Sequence, residues 1–180
     1  MAERRKISIL MVLPPLIFAS LAVLFYLGMR RDDPGALPST RVGQRPPEMT
    51  VTTLGGLPGF DQAALRAPGV KLVNFWASWC APCRAEHPNL EKMAEEGIAI
   101  YGINYKDDPE KAQRFLAELG NPFKAVMADE SGRTGIDWGI YGVPETFVID
   151  GEGRITFRFA GPIVGNVLEK KIRPAIEAAR

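Results

Sequence analysis

Between Lys71 and Glu96 a short apolar run, Lys71-Leu72-Val73-Asn74-Phe75-Trp76, passes almost directly into a helical pattern, and both cysteines of the chain, Cys80 and Cys83, stand at that junction. A run with β-branched and aromatic residues of this length is a buried strand. The helix-like stretch from about Cys80 to Glu96 ends at Gly97, a residue suited to a helix stop. Two cysteines three positions apart cannot build a disulfide framework or a four-thiolate metal site, so the fold must be closed by a hydrophobic core. No period of 20–50 residues recurs, which excludes a solenoid or propeller.

The remaining pattern alternates strand and helix. Ile98 to Asn104 reads as a second buried strand, and Asp107-Asp108-Pro109 opens a helix that stops at Gly120-Asn121-Pro122. Thr146 to Asp150 and Ile155 to Phe159 flank Gly151-Glu152-Gly153 and predict a β-hairpin. A last helix is expected from about Ile163, with Val164, Leu168, Ile172 and Ile176 on one face. The expected class is α/β, with a central mixed β-sheet flanked by helices.

Ahead of this domain, residues 7–29 carry no formal charge and, at about 1.5 Å per residue in a helix, suffice to cross a hydrocarbon core of roughly 30 Å. Pro14 and Pro15 are tolerable in a lipid-embedded helix. The run is longer than a signal-peptide core and has no good small-x-small cleavage site, which favours an uncleaved transmembrane anchor. The expected organisation is a cytoplasmic tail 1–6, an anchor 7–29, a Pro/Gly/Ser/Thr-rich linker 30–47 and a globular domain 48–180. Basic residues flank both ends of the run, at Arg4 to Lys6 and at Arg30 and Arg31, so charge alone orients it weakly. A net charge of +1 leaves no basic stripe for nucleic acid.

At a strand-to-helix junction the first thiol of Cys-x-x-Cys meets unpaired helix N–H groups and the positive end of the dipole, which favour a thiolate. Cys80 is therefore the candidate nucleophile and Cys83 the resolving thiol. Lowering a thiol pKa from about 8.5 to about 7 raises the thiolate fraction roughly sixteenfold, but lost nucleophilicity returns about fivefold of it. Docking geometry and leaving-group quality must supply the rest. Three other readings compete. Cys80, Cys83 and His87 offer three metal ligands, without a second pair to close a tetrahedral site. Covalent haem attachment needs His directly after the second cysteine, where Arg84 stands. Two buried, inert cysteines are the third reading, less compatible with the aromatic and proline-bearing setting.

The segment Asn74-Phe75-Trp76-Ala77-Ser78-Trp79-Cys80-Ala81-Pro82-Cys83-Arg84 resembles the active-site segment of the thioredoxin superfamily, with Pro88 where that family kinks its helix. Tyr141-Gly142-Val143-Pro144-Glu145-Thr146-Phe147 resembles its cis-proline loop, implying a thioredoxin-like fold with a cis Val143–Pro144 bond against the cysteines. Gly-Val-Pro-Glu-Thr-Phe together with Cys-Arg-Ala-Glu-His-Pro and an N-terminal anchor is most similar to the CcmG/DsbE thiol:disulfide interchange proteins of cytochrome c maturation. This resemblance implies an inner-membrane, single-pass protein whose domain faces the periplasm and whose only redox centre is the Cys80–Cys83 disulfide, with no cofactor or metal. It implies reduction of apocytochrome c or of a maturation-partner disulfide, with electrons from a membrane thiol donor of the CcdA/DsbD type. A TlpA-like reductant for copper-oxidase assembly is the nearest rival, and a membrane-tethered metal-binding module the rival of another class.

In ordinary thioredoxins a buried carboxylate precedes the motif where this chain has Asn74. Glu86, one turn beyond Cys83, becomes the candidate proton-handling group, against the plainer reading of a solvated first-turn carboxylate. The expected catalytic set is Cys80, Cys83, Glu86 and Pro144. The expected substrate-binding set is Trp79, Pro82, Val143 and Glu145, with a surface salt bridge as the competing role for Glu145. Trp76 is expected in the core, and His87 in a structural or surface role.

Overall fold

The computed structural model describes residues 9–29 and 39–180. They divide into two compact units at the Pro38–Ser39 boundary. The expected tail 1–6 and the first part of the expected linker, 30–38, lie outside the described residues.

The first unit holds helix α1, Ile9–Met29, with Pro14 and Pro15 inside it. Apolar side chains such as Ile17, Phe18, Leu24 and Phe25 are exposed along it, and the stretch Met11–Met29 is long and apolar enough to cross a membrane. A helix that is apolar all round and unpacked by its own unit suits hydrocarbon better than water.

The second unit is thioredoxin-like. In chain order it contains β1 (Thr52–Thr53), α2 (Gln62–Arg66), β2 (Lys71–Trp76), α3 (Ala81–Glu95), β3 (Ala99–Tyr105), α4 (Pro109–Leu119), β4 (Ala125–Asp129), α5 (Arg133–Trp138), β5 (Glu145–Ile149), β6 (Ile155–Ala160) and α6 (Arg173–Ala178). The six strands form one sheet ordered β1-β4-β3-β2-β5-β6. β2 pairs parallel with β3 and antiparallel with β5, so the strand that leads to the cysteines is central and buried on both faces.

Alternation along β2 divides the core. Leu72 and Trp76 face one layer with Cys83 and Leu90 of α3, Phe115 of α4, and Ile172 and Ile176 near the C-terminus. Val73 and Phe75 face the other, with Leu65 of α2, Trp138 of α5 and Phe147 of β5. Trp76 is core packing, stacked on Phe123 with centroids 5.5 Å apart. That stack requires Gly102 on β3, because a Cβ there would lie 2.9 Å from the Phe123 ring. On the second face Phe75, Trp138 and Phe147 form a mutual edge-to-face triad with centroid distances of 5.0–5.8 Å.

Two boundaries differ from expectation. The compact unit begins at Ser39 rather than Glu48, because Gly43 N–H donates to Ile155 O and Ile155 N–H to Gln44 O, covering the free edge of β6. Composition suggested a tether, yet these backbone groups find partners in the sheet. The last helical segment starts at Leu168, not Ile163, and its first turn is a π-helix, Leu168–Ile172, in which Arg173 N–H reaches Leu168 O. Pro174 supplies no N–H for an ordinary helical bond just beyond this turn, and Gly165 at φ +58° turns the chain before it. Leu168, Ile172 and Ile176 are buried as expected, whereas Val164 lies outside the helix and only half-buried.

Replacing Phe147 by Ala removes the ring common to two of the three aromatic contacts in the second layer. The expected cost is about 3–5 kcal/mol, read as a lowered urea midpoint of the full chain in detergent, while Glu152→Ala on the exposed hairpin turn stays within about 0.5 kcal/mol.

Candidate active site

The end of β2 delivers the chain to α3 through Ala77-Ser78-Trp79. Cys80 N–H donates to Ala77 O at 3.2 Å, and Cys80, extended at φ −88° and ψ 103°, is the helix N-cap. A cysteine replaces the usual Ser or Asp because its sulfur accepts the Cys83 N–H at 3.1 Å. Pro82 in the first turn leaves no N–H unsatisfied there. Cys80 and Cys83 are joined in a disulfide, both residues at most 4% exposed. When the pair is reduced, the N–H now directed at the Cys80 sulfur stabilises its thiolate, reinforced by the dipole of α3.

The facing wall is the loop before β5, where Val143–Pro144 is a cis peptide. The Cys80 sulfur lies 3.5 Å from Val143 O, and Gly161 N–H holds Pro144 O at 2.9 Å. The expected residues Trp79, Cys80, Pro82, Cys83, Val143 and Pro144 thus gather from two distant segments. Pro82 is exposed, Val143 half-buried and Pro144 buried.

A third segment, between β3 and α4, holds the loop from behind. Asp107 accepts Ser78 N–H at 2.6 Å, Ser78 Oγ–H at 2.8 Å and the Asn104 side-chain amide at 2.9 Å. Trp79 is 60% exposed, yet its Nε1–H donates to Lys106 O at 3.0 Å, and Lys106 takes a positive φ of 46°. Asp107 was not anticipated as a site residue. Asp-Asp-Pro announces a helix start, but only Asp108 caps α4, through Glu110 N–H and Lys111 N–H, which leaves Asp107 for the motif.

Glu86 is fully buried, not a solvated first-turn group. It lies three residues beyond Cys83 on the same buried side of α3. Its carboxyl accepts the Asn74 amide at 2.9 Å and Ile163 N–H at 2.8 Å, and Asn74 also donates to Thr146 Oγ1 at 3.0 Å. Burial pushes its pKa from the ordinary 4.5 up to about 7, with the Ile163 and Asn74 hydrogen bonds opposing the rise. It is therefore poised near neutrality while tying α3 to β2 and to the Ile163 segment.

Glu145 requires a correction. It is 1% exposed, bound to Arg158 Nε at 2.7 Å and to Tyr141 N–H at 2.9 Å, so it neither touches a docked partner nor forms a surface salt bridge. Arg158 also lies 4.3 Å from the exposed Tyr141 ring, and the group braces the proline loop from beneath. Both oxygens of Glu145 are satisfied, whereas Arg158 Nη2 is buried without a hydrogen-bond partner among the described residues, which offsets part of what the buried pair contributes. His87 is buried, with Nε2 at 3.0 Å from Gly120 O and the ring edge-on to Phe115, and burial lowers its pKa. That nitrogen is engaged away from the cysteines. Among the described residues no cluster of three His, Cys, Asp or Glu has metal-binding geometry.

Comparison with known proteins agrees with this geometry. Residues 41–173 match the Redoxin family model. The thiol:disulfide interchange protein HelX of Rhodobacter capsulatus is 49% identical over 93% of this chain and 95% of its own length. The DsbE homolog of Paracoccus denitrificans is 48% identical over 97% of both chains, and DsbE of Escherichia coli 40% identical over 97% of this chain and 95% of its own. A solved structure described as a DsbE thiol:disulfide interchange protein of Chlorobium tepidum superposes with a TM-score of 0.63 at 25% identity, covering 80% of this chain and 99% of that one. With an exchangeable cysteine pair at a helix N-terminus and full-length similarity to these proteins, the chain belongs to the DsbE family of thiol:disulfide interchange proteins and is a thiol:disulfide oxidoreductase.

Proposed function

We propose that this oxidoreductase works as a reductant in cytochrome c maturation, anchored in the inner membrane by α1 with its thioredoxin-like domain in the periplasm. The carrying observation is the asymmetry of the disulfide. Cys80 caps the helix beside Val143 O and the exposed Trp79, whereas Cys83 lies one turn inward toward buried Glu86. The family resemblance and the DsbE relatives support the pathway and the compartment, and α1 supports the anchor.

In the reductive half-cycle the Cys80 thiolate attacks a sulfur of the partner disulfide, forming a mixed disulfide and releasing one partner thiolate. Cys83 then attacks the Cys80 sulfur. The partner leaves with two thiols, and the Cys80–Cys83 disulfide remains, carrying the two electrons' worth of oxidation. Glu86, as carboxylate, takes the Cys83 proton. A membrane dithiol donor of the CcdA/DsbD type returns the pair to the reduced state, so the protein needs no cofactor beyond its own cysteines. Trp79 and Pro82 meet the partner through apolar surface, and Val143 O with Pro144 lines its approach.

Cys83→Ser removes the resolving thiol and should accumulate Cys80-linked adducts in native membranes, identified after nonreducing separation. Adducts of apocytochrome c or a maturation thiol protein are expected; adducts of copper-oxidase assembly proteins instead would replace this pathway with the TlpA-like one.

Glu86 gives a pH test with a defined sign. Below about pH 7 the carboxyl is protonated and accepts no proton, so the rate of the resolving step should rise as pH passes through about 7. In Glu86→Gln that inflection should disappear; an unchanged profile would assign Glu86 a structural role alone. The same raised value makes Glu86 favour folding at low pH. This contribution is complete below the ordinary 4.5 and fades as pH rises to about 7, so the urea midpoint of wild type relative to Glu86→Gln should fall across that window and level off above it.

A further inference from the structure

Beside the disulfide, the cleft between the start of α3 and α4 holds an open depression of about 250 Å³. Its exposed apolar surface is Trp79, the buried Phe115 lies beneath Arg84 at its floor, and its rim carries Arg84, Lys111 and Arg114 beside Glu118. Arg114 also faces Glu110, so three cations stand against two carboxylates and the rim keeps a net positive charge in a chain whose total is only +1. Two of the lining residues adjoin the reacting pair directly: Trp79 precedes Cys80 and Arg84 follows Cys83.

Ion pairing within the chain leaves these charges available. Arg84 meets Glu118 at 3.8 Å with both side chains about half or more exposed, and Arg114 meets Glu110 at 3.9 Å with both more exposed still. Such long, solvated pairs are worth little and exchange readily for a better-placed partner. Lys111 has no ion-pair partner among the described residues. The Arg84 guanidinium lies 4.9 Å from the centroid of the Phe115 ring, a contact that helps fix its planar donor fork toward the cleft.

We propose that this basic cleft is a specificity site for an acidic peptide segment flanking the cysteine of the partner. The proposal rests on the thiol-exchange reading above and adds the chemistry by which a partner is chosen. Carboxylates of the segment pair with Arg84, Lys111 and Arg114 while its apolar atoms rest on the exposed Trp79, and the adjoining partner sulfur is brought toward Cys80. Charges at the edge of a docking surface act mainly on encounter rate and orientation. The site should therefore sort partners by how fast they react.

The test uses the reduced full chain in detergent and two synthetic peptides, each with one internal disulfide, differing only in glutamate or glutamine flanks. In each reaction the peptide disulfide becomes two thiols and Cys80–Cys83 becomes the disulfide. At low ionic strength the glutamate peptide should react about tenfold faster than its glutamine twin. Its advantage should shrink toward unity at high salt. The Lys111→Gln/Arg114→Gln double variant should lower the ratio to about threefold or less, and Lys111→Glu/Arg114→Glu should bring it to unity or below. Both substitutions sit on the exposed face of α4, and the neutral pair guards against destabilisation by added like charge next to Glu110. A wild-type ratio near one, or a ratio that survives both double variants, overturns the acidic-segment site while leaving exchange intact. Failure of the reduced wild type to react with either peptide and with uncharged hydroxyethyl disulfide overturns the exchange reading on which the site depends.

Discussion

The hydrogen bond from Cys83 N–H to the Cys80 sulfur is the constraint around which the second unit is organised. It makes the nucleophile a helix cap, so the helix dipole, the reacting atom and the end of the central strand are fixed together. The junction can occupy that place only because β2 is covered on both faces and both edges. β3 and β5 hold its edges, α3 and α4 cover one face, and α2 and α5 cover the other. Asp107 then secures Ser78, and Val143 O closes the opposite side.

Two buried carboxylates show how environment divides one chemical group between two tasks. Glu145 is matched by a guanidinium and an N–H, and its effect is mechanical, passing from Arg158 to the loop that carries Pro144. Glu86 has hydrogen bonds but no cation, so desolvation prevails and the carboxyl is held near neutrality. Asn74 is the residue that permits this. A carboxylate at its position would set a second negative charge against Glu86, whereas an amide donates to it and to Thr146.

The central elements were legible because their signals were local: β2 is bounded where its apolar run is, α4 starts at the Asp-Asp-Pro cap, and the cysteines announce their junction. β4 was not legible, since Ala125-Val126-Met127-Ala128-Asp129 has a single β-branched residue and becomes a strand through its pairing with β3. The short helices α2 and α5 likewise lack the length for a periodic pattern. At the site, residue types revealed Cys80, Cys83 and the cis-proline loop. The burial of Glu145, the clamp at Asp107 and the docking of Gly43 and Gln44 on β6 depend on contacts between remote segments.

The close approach of Gly102 to the Phe123 ring couples two positions that are far apart in the chain's chemistry. An alanine at 102 has no room while phenylalanine occupies 123, and a smaller residue at 123 would open a void beside Trp76 while glycine remains at 102. Neither exchange is acceptable alone, but together they conserve volume. Among relatives of this chain the two positions should therefore drift as a pair, with glycine kept wherever the ring is kept. The indole under the cysteine loop, not the redox chemistry, would be the agent enforcing that joint history.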